Sequence, residues 1–195
     1  AQCMGNAEPV YIHQVHGTDV VSLPEKTTDH KPIPTGLKGD ALVTDIPGRN
    51  LAIQVADCQA VLLYGADRNV VADVHSGWRG SIRNILGETV REMVRRFDCT
   101  PACIYAGIGP SLGPCCAEFI YYRREIPTRL WGYKDDRDHF DFWSISRNQL
   151  KEAGVPAENI VVSGLCTRCR TDLFFSYRGE ETTGRFAAVI GLRSR

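Results

Sequence analysis

Apolar residues recur through the first half of the chain in short runs separated by turn-forming residues, at 10–15, 20–23, 41–44, 51–56, 60–64 and 70–74. Each run is rich in Val, Ile and Leu and bounded by Gly, Pro, Asp or Asn, the pattern of β-strands. Residues 26–38 are polar and carry prolines, which predicts an exposed loop. The period then changes. Over 81–97, Ile82, Ile85, Leu86, Thr89, Val90, Met93, Val94 and Phe97 share one helical face while Arg and Glu take the other, so a helix directly follows a strand. Further strands are predicted at 103–108, 160–162, 173–177 and 186–192, a Gly-Pro-rich turn at 107–114, and a helix at 144–153 ended by Gly154. No repeat, low-complexity tract or linker divides the chain, which predicts one mixed α/β domain over 1–195.

Composition narrows the class. The 195 residues are 43% apolar and 24% charged, as in globular proteins, with Lys plus Arg and Asp plus Glu equal at 23 each. Zero formal charge gives no basis for salt-dependent binding to nucleic acid or anionic membranes. The longest apolar runs fall far short of the roughly 20 residues of a bilayer span, and residues 1–9 lack the regions of a signal peptide. Eight irregularly spaced cysteines and the absence of an Asn-x-Ser/Thr sequon predict reduced thiols in the cytoplasm. Cys115 and Cys116 are adjacent and poorly placed to pair with each other.

Three residues with metal-binding or catalytic side chains, His16, Cys58 and His75, fall just beyond predicted strands, where rigid sheets aim side chains into crevices. Two imidazoles and a thiolate match the three-ligand set of catalytic zinc, with a fourth position for water or substrate. The same residues also read as a Cys58 nucleophile with His75 as its base, or as hydrogen-bonded histidines and a buried thiol; spacing does not separate these readings. The segment His75-Ser76-Gly77-Trp78-Arg79-Gly80 leads into the helix, so helical N–H groups and the Arg79 guanidinium are expected to bind an anion such as phosphate. Asp40 and Asp57 are candidates to orient a ligand's second nitrogen, or turn caps. Cys166-Thr167-Arg168-Cys169 is a lone Cys-x-x-Cys without a second such pair, read as packing or coincidence rather than a redox or zinc site. His13, His30 and His139 read as surface residues and Arg123-Arg124 as a solvated helix face. Neither a Walker loop nor Gly-x-Gly-x-x-Gly is present, so triphosphates and dinucleotides are not signalled.

Seven segments in order carry a resemblance: Gln14-Val15-His16-Gly17, Gly39-Asp40-Ala41-Leu42-Val43-Thr44, Ala56-Asp57-Cys58, His75-Ser76-Gly77-Trp78-Arg79-Gly80, Gly109-Pro110-Ser111-Leu112-Gly113-Pro114-Cys115, Cys166-Thr167, and Phe174-Phe175-Ser176-Tyr177-Arg178 with Thr183-Gly184-Arg185. From about residue 10 to its end the chain resembles the YfiH and YlmD family of purine nucleoside phosphorylases, formerly described as polyphenol oxidases or laccases. The resemblance implies an α/β fold, a single layered αββα domain with mixed β-sheets also likened to a bacterial cytotoxic deamidase. It implies a metal, zinc rather than copper, held by His16, Cys58 and His75 as the catalytic group; beside that site, Arg79 and Asp40 are expected as substrate-binding residues. The implied reaction is phosphorolysis of adenosine, inosine or S-methyl-5'-thioadenosine to free base and ribose 1-phosphate or its methylthio analogue, with adenosine deamination besides. A Cys-His hydrolase or deamidase and a copper-dependent phenol oxidase are the alternatives. The family's N-terminal arm is expected to precede residue 1, and Cys169 has no counterpart in its motif.

Overall fold

The computed structural model describes residues 8–23 and 36–193. Its strands are β1 (Val10–Tyr11), β2 (Val20–Leu23), β3 (Ala41–Thr44), β4 (Asn50–Val55), β5 (Gln59–Gly65), β6 (Val70–Ser76), β7 (Ile104–Ile108), β8 (Ile160–Val162) and β9 (Phe186–Gly191). Most match the apolar runs to within two residues. Two differ. The run 10–15 pairs only over Val10 and Tyr11, and then makes a single bridge from His13 to Lys38. The run 173–177 forms turns: Leu173, Phe175 and Tyr177 point to solvent, while Phe174 packs on Phe186 with ring centroids 5.5 Å apart. Of the expected loop 26–38, residues 26–35 lie outside the described residues, as does His30.

The strands form two mixed sheets, in keeping with the expected α/β class. The smaller has the order β1-β4-β9, and the larger β2-β3-β6-β5-β7-β8. In the larger sheet the edge pairs β2–β3 and β7–β8 are parallel and the inner pairs antiparallel. The two sheets join through Leu42, Leu51, Ile53, Val55 and Val71. Burying one such Leu or Ile stabilises the fold by about 1.5–3 kcal/mol. Every residue of β6 is buried because it is central to its sheet and covered on both faces. Asp73 breaks its apolar pattern on the face shared with Val71 and His75, and burial pushes its carboxyl well above the usual range.

The helices are α1 (Trp78–Ile82), α2 (Ile85–Phe97), α3 (Tyr122–Glu125) and α4 (Phe142–Glu152). The single helix expected over 81–97 is thus two. Asn84 breaks it in the left-handed region at φ 62°, a conformation Asn tolerates better than most residues. Its side chain then accepts from the N–H of Gly87 at 3.0 Å and caps α2. Ile85, Leu86, Val90 and Met93 of α2 join Leu150 of α4 in a core against the larger sheet, whereas Val94 stays partly exposed. Helix α4 starts at Phe142 rather than 144 because Asp141 accepts from the N–H of Ser144 at 3.0 Å, and the chain turns away at Gly154 with φ 95°. A third cluster gathers Phe119, Tyr122, Phe140 and Phe142 around α3. There Arg123, expected on a solvated face, lies 5.4 Å from the ring of Tyr122 and 5.5 Å from that of Trp131. No helix among the described residues is long and apolar enough to cross a membrane.

Candidate functional site

The side chains of His16, Cys58 and His75 converge, with their candidate donor atoms all within 4.8 Å of one another. Each arrives by a different local route. His75 lies inside β6 near its end and is buried. Cys58 occupies the short connection through which the chain leaves the smaller sheet at Val55 and enters the larger one at Gln59. That crossing requires a left-handed backbone at Asp57, φ 81°. His16 is exposed and is also left-handed, φ 59°. Its loop is fixed by Asp40, whose carboxylate accepts from the N–H groups of Val15, His16 and Gly17 at 3.3, 2.9 and 2.6 Å.

Asp40 is fully buried, and its Oδ1 lies 2.7 Å from Nδ1 of His75. Its hydrogen bonds go to the protein, and it stands behind His75 rather than among the cavity-lining residues. Of the two roles expected for Asp40, orienting an imidazole fits this position and direct substrate contact does not. Holding Nδ1 leaves Nε2 of His75 for a ligand. Burial raises the Asp40 carboxyl, but hydrogen bonds from His75 and Gly17 more than offset it and leave it below the usual range. Burial likewise raises the Cys58 thiol, and hydrogen bonds with His16 and His75 outweigh that and lower it to about 7. Burial lowers His75, while Asp40 and then Cys58 lift it to about 9. An easily ionised thiol between two imidazoles suits either a divalent metal or a nucleophile–base pair. Gly77 leaves them room: a Cβ there would lie 3.1 Å from Cδ2 of His16 and 3.2 Å from Sγ of Cys58 and would crowd both.

The trio opens into a cavity of about 660 Å³, whose walls include Arg79, Phe119, Phe142, Tyr177, Arg178 and Arg185. This volume is in the range of small-molecule sites. Arg79 sits on α1 with its guanidinium 4.1 Å from the ring of Trp78. Because α1 has only five residues, Arg79 carries more of the expected anion attraction than the helix does. Arg178 donates from Nη1 to the Glu118 carbonyl at 2.7 Å and lies 5.0 Å from the ring of Phe119. Sequence reasoning gave Arg178, Arg185 and the aromatic walls no role, although the first two lie in quoted segments.

Asp57 locks the Arg178 segment to the site. Its carboxylate accepts from Oγ1 of Thr167 at 2.6 Å, Oγ of Ser176 at 2.7 Å and the N–H of Arg178 at 2.6 Å. It orients a loop instead of a ligand's ring nitrogen. Beyond this lock, Cys115, Cys116, Cys166 and Cys169 come together with their sulfurs within 4.8 Å of one another. The expectation that Cys166 and Cys169 lack a partner pair is therefore corrected: the adjacent cysteines of the Gly-Pro turn meet them across the fold. All cysteines among the described residues are free.

Residues 1–193 match the family model described as multi-copper polyphenol oxidoreductase laccase. The chain is 35% identical over 197 residues to purine nucleoside phosphorylase YlmD of Geobacillus stearothermophilus, covering 94% of this chain and 72% of that protein. It is 33% identical over 193 residues to purine nucleoside phosphorylase YfiH of Escherichia coli, covering 95% and 74%. Among solved structures, the Bacillus licheniformis hypothetical protein YfiH matches with a TM-score of 0.84 at 32% identity, over 94% of this chain and 74% of that one.

Proposed function

From the premise that the chain belongs to the YfiH/YlmD family, within the family described as multi-copper polyphenol oxidoreductase laccase, we propose that it is a zinc-dependent purine nucleoside phosphorylase. The observation that carries this reading is the cavity itself: a His16–Cys58–His75 donor trio, arginines and aromatic walls share one space of about 660 Å³. The substrates are purine nucleosides, among them adenosine, inosine and S-methyl-5'-thioadenosine, and inorganic phosphate.

The donor set fits a catalytic zinc ion: two imidazoles, one thiol that ionises near neutrality, an aspartate fixing one imidazole, and an open side toward the cavity. When bound, zinc supplies Lewis-acid polarisation of a substrate oxygen. The protein's own residues do the rest. Arg79, Arg178 and Arg185 neutralise and orient hydrogen phosphate, whose oxygen attacks the anomeric carbon as the bond to the purine breaks, the phosphate's proton ending on the departing base. Phe119, Phe142 and Tyr177 offer ring surface to a planar base. The anion held close to the sugar stabilises the positive charge that develops there.

Two features argue against copper-dependent oxidation of phenols. The described residues gather two imidazoles and one thiol at the cavity, a set for one ion, whereas His13 and His139 join no such group. Arginines on the cavity wall also suit an anionic substrate better than a phenol.

The test incubates zinc-loaded protein with adenosine, with and without phosphate, and resolves the products by chromatography. Adenine and ribose 1-phosphate formed only with phosphate are expected. Unchanged adenosine overturns the reading, and inosine in both arms identifies deamination at the same site. Full activity after zinc removal, with loss on alkylating Cys58, assigns the trio to a Cys-His hydrolase.

A further inference from the structure

The four-cysteine cluster lies outside the cavity's donor trio and takes no part in the proposed reaction. Cys115 and Cys116 end the Gly-Pro turn, and Cys166 and Cys169 begin the turns that follow β8. Sγ of Cys169 is 3.6 Å from that of Cys115 and 3.5 Å from that of Cys116. A tetrahedral zinc–thiolate site, with Zn–S bonds of about 2.3 Å, has sulfurs about 3.8 Å apart. A disulfide needs about 2.05 Å. These two separations, with all four sulfurs within 4.8 Å of one another, suit ligands around one ion and exclude a formed disulfide between Cys169 and either neighbour.

One of the four sulfurs already has a backbone donor. The N–H of Gly113 donates to Sγ of Cys166 at 3.3 Å, as backbone amides do to metal-bound sulfur. A Cβ at Gly113 would lie 3.1 Å from Cβ of Cys166 and 2.8 Å from the Trp143 ring, so glycine is what lets the turn approach. The region has structural need of a cross-link. Residues 163–185 contain no helix or strand, and Leu173, Phe175 and Tyr177 are exposed instead of building a core. The segment is held by point contacts instead of a ladder: Ser111 and Leu165–Thr167 bond backbone to backbone at 3.1–3.2 Å, Asp57 holds Thr167, Ser176 and Arg178, and Arg178 bonds the Glu118 carbonyl.

We propose that Cys115, Cys116, Cys166 and Cys169 bind one structural zinc ion, distinct from the ion at His16, Cys58 and His75, and that it staples the Arg178 loop to the Gly-Pro turn. Binding exchanges four S–H protons for one dication and leaves a site of net charge −2, with Arg168 between the two cysteines of the second pair. The staple acts on the cavity at short range, because Leu112 lines the cavity and its N–H donates to the Asp57 carbonyl at 2.8 Å.

The experiment compares zinc content by elemental analysis in the wild type, C58A, and the double variant C115S/C169S, all purified without chelator and shown folded by circular dichroism. C115S/C169S is expected to lose one zinc per chain relative to wild type, and C58A to keep that zinc. Cobalt-loaded wild type and C58A are expected to show the intense sulfur-to-cobalt charge-transfer bands of a four-thiolate tetrahedral site, which C115S/C169S lacks. Equal zinc in wild type and C115S/C169S overturns the proposal, as does a thiol titration of unfolded, freshly purified protein that finds these cysteines oxidised to disulfides. Should the double variant not fold, the exposed Cys115→Ser alone gives the same reading through the cobalt bands. Because C58A removes only the cavity trio, failure of the phosphorylase reading leaves this outcome separately readable.

Discussion

Oδ1 of Asp40 lies 2.7 Å from Nδ1 of His75, and the same carboxylate holds three successive backbone N–H groups of the His16 loop. One buried side chain thereby fixes two of the three candidate ligands, which predicts that Asp40→Asn weakens zinc binding at the cavity about 10–100-fold. Competition with a chromophoric chelator measures this. An unchanged affinity would mean that Asp40 orients neither imidazole.

Gly77 tests whether the trio must be this close. Its missing Cβ leaves the 3.1 Å and 3.2 Å approaches of His16 and Cys58 open. Gly77→Ala is expected to weaken cavity zinc binding and slow nucleoside cleavage while leaving the circular dichroism spectrum and the zinc-free melting temperature near wild type, since no core side chain is removed. Retained activity would show that the trio tolerates a shift.

Asp57 combines a left-handed backbone with a carboxylate that receives three hydrogen bonds. Asp57→Asn keeps the side-chain shape, tolerates the left-handed backbone and removes the carboxylate's charge and part of its acceptor capacity, so the predicted loss of about 2 kcal/mol reports on those bonds. Hydrogen exchange should accelerate at Thr167, Ser176 and Arg178 in particular. Uniform acceleration across the protein would instead mark a global effect.

Glu92 gives a pH test remote from the cavity. Burial raises its carboxyl, but a 2.6 Å hydrogen bond from Ser22 on β2 and an ion pair with Arg95 together outweigh it and leave it below the usual range. A carboxyl depressed in the folded state contributes stability above its unfolded value, and loses it as pH falls through its folded value. Glu92→Gln is therefore expected to cost about 1 kcal/mol at pH 7, after allowance for solvent screening, and progressively less below about pH 4. Urea unfolding at several pH values checks this; a pH-independent difference would exclude the carboxylate as its cause.

The residues legible in the sequence share a physical signature. His16, Cys58 and His75 stood out because each follows an apolar run, and Arg79 because it opens a helix. Asp40 was visible as a candidate, but whether it touched substrate or imidazole depended on a contact with a residue 35 positions away. Arg178 and Arg185 had no periodicity to place them, because the turns around them are shaped by Asp57 instead of by a sheet. The helix break is silent in the sequence for a related reason: the apolar face runs on through Asn84, and only the backbone angle at that residue divides it. Cys166 and Cys169 looked solitary because their partners are a vicinal pair some 50 residues earlier, not another Cys-x-x-Cys.

The register of the smaller sheet sets a timetable for biosynthesis. Strand β9 pairs with β4 from Gly191 opposite Asn50 to Phe186 opposite Val55, and Leu192 seals the layer between the sheets. A nascent chain on the ribosome releases His16, Cys58 and His75 long before that final strand emerges. Contacts of such wide sequence separation form slowly. Arg185 directly precedes β9, so the cavity into which His16, Cys58 and His75 open acquires this wall only when β9 has paired with β4.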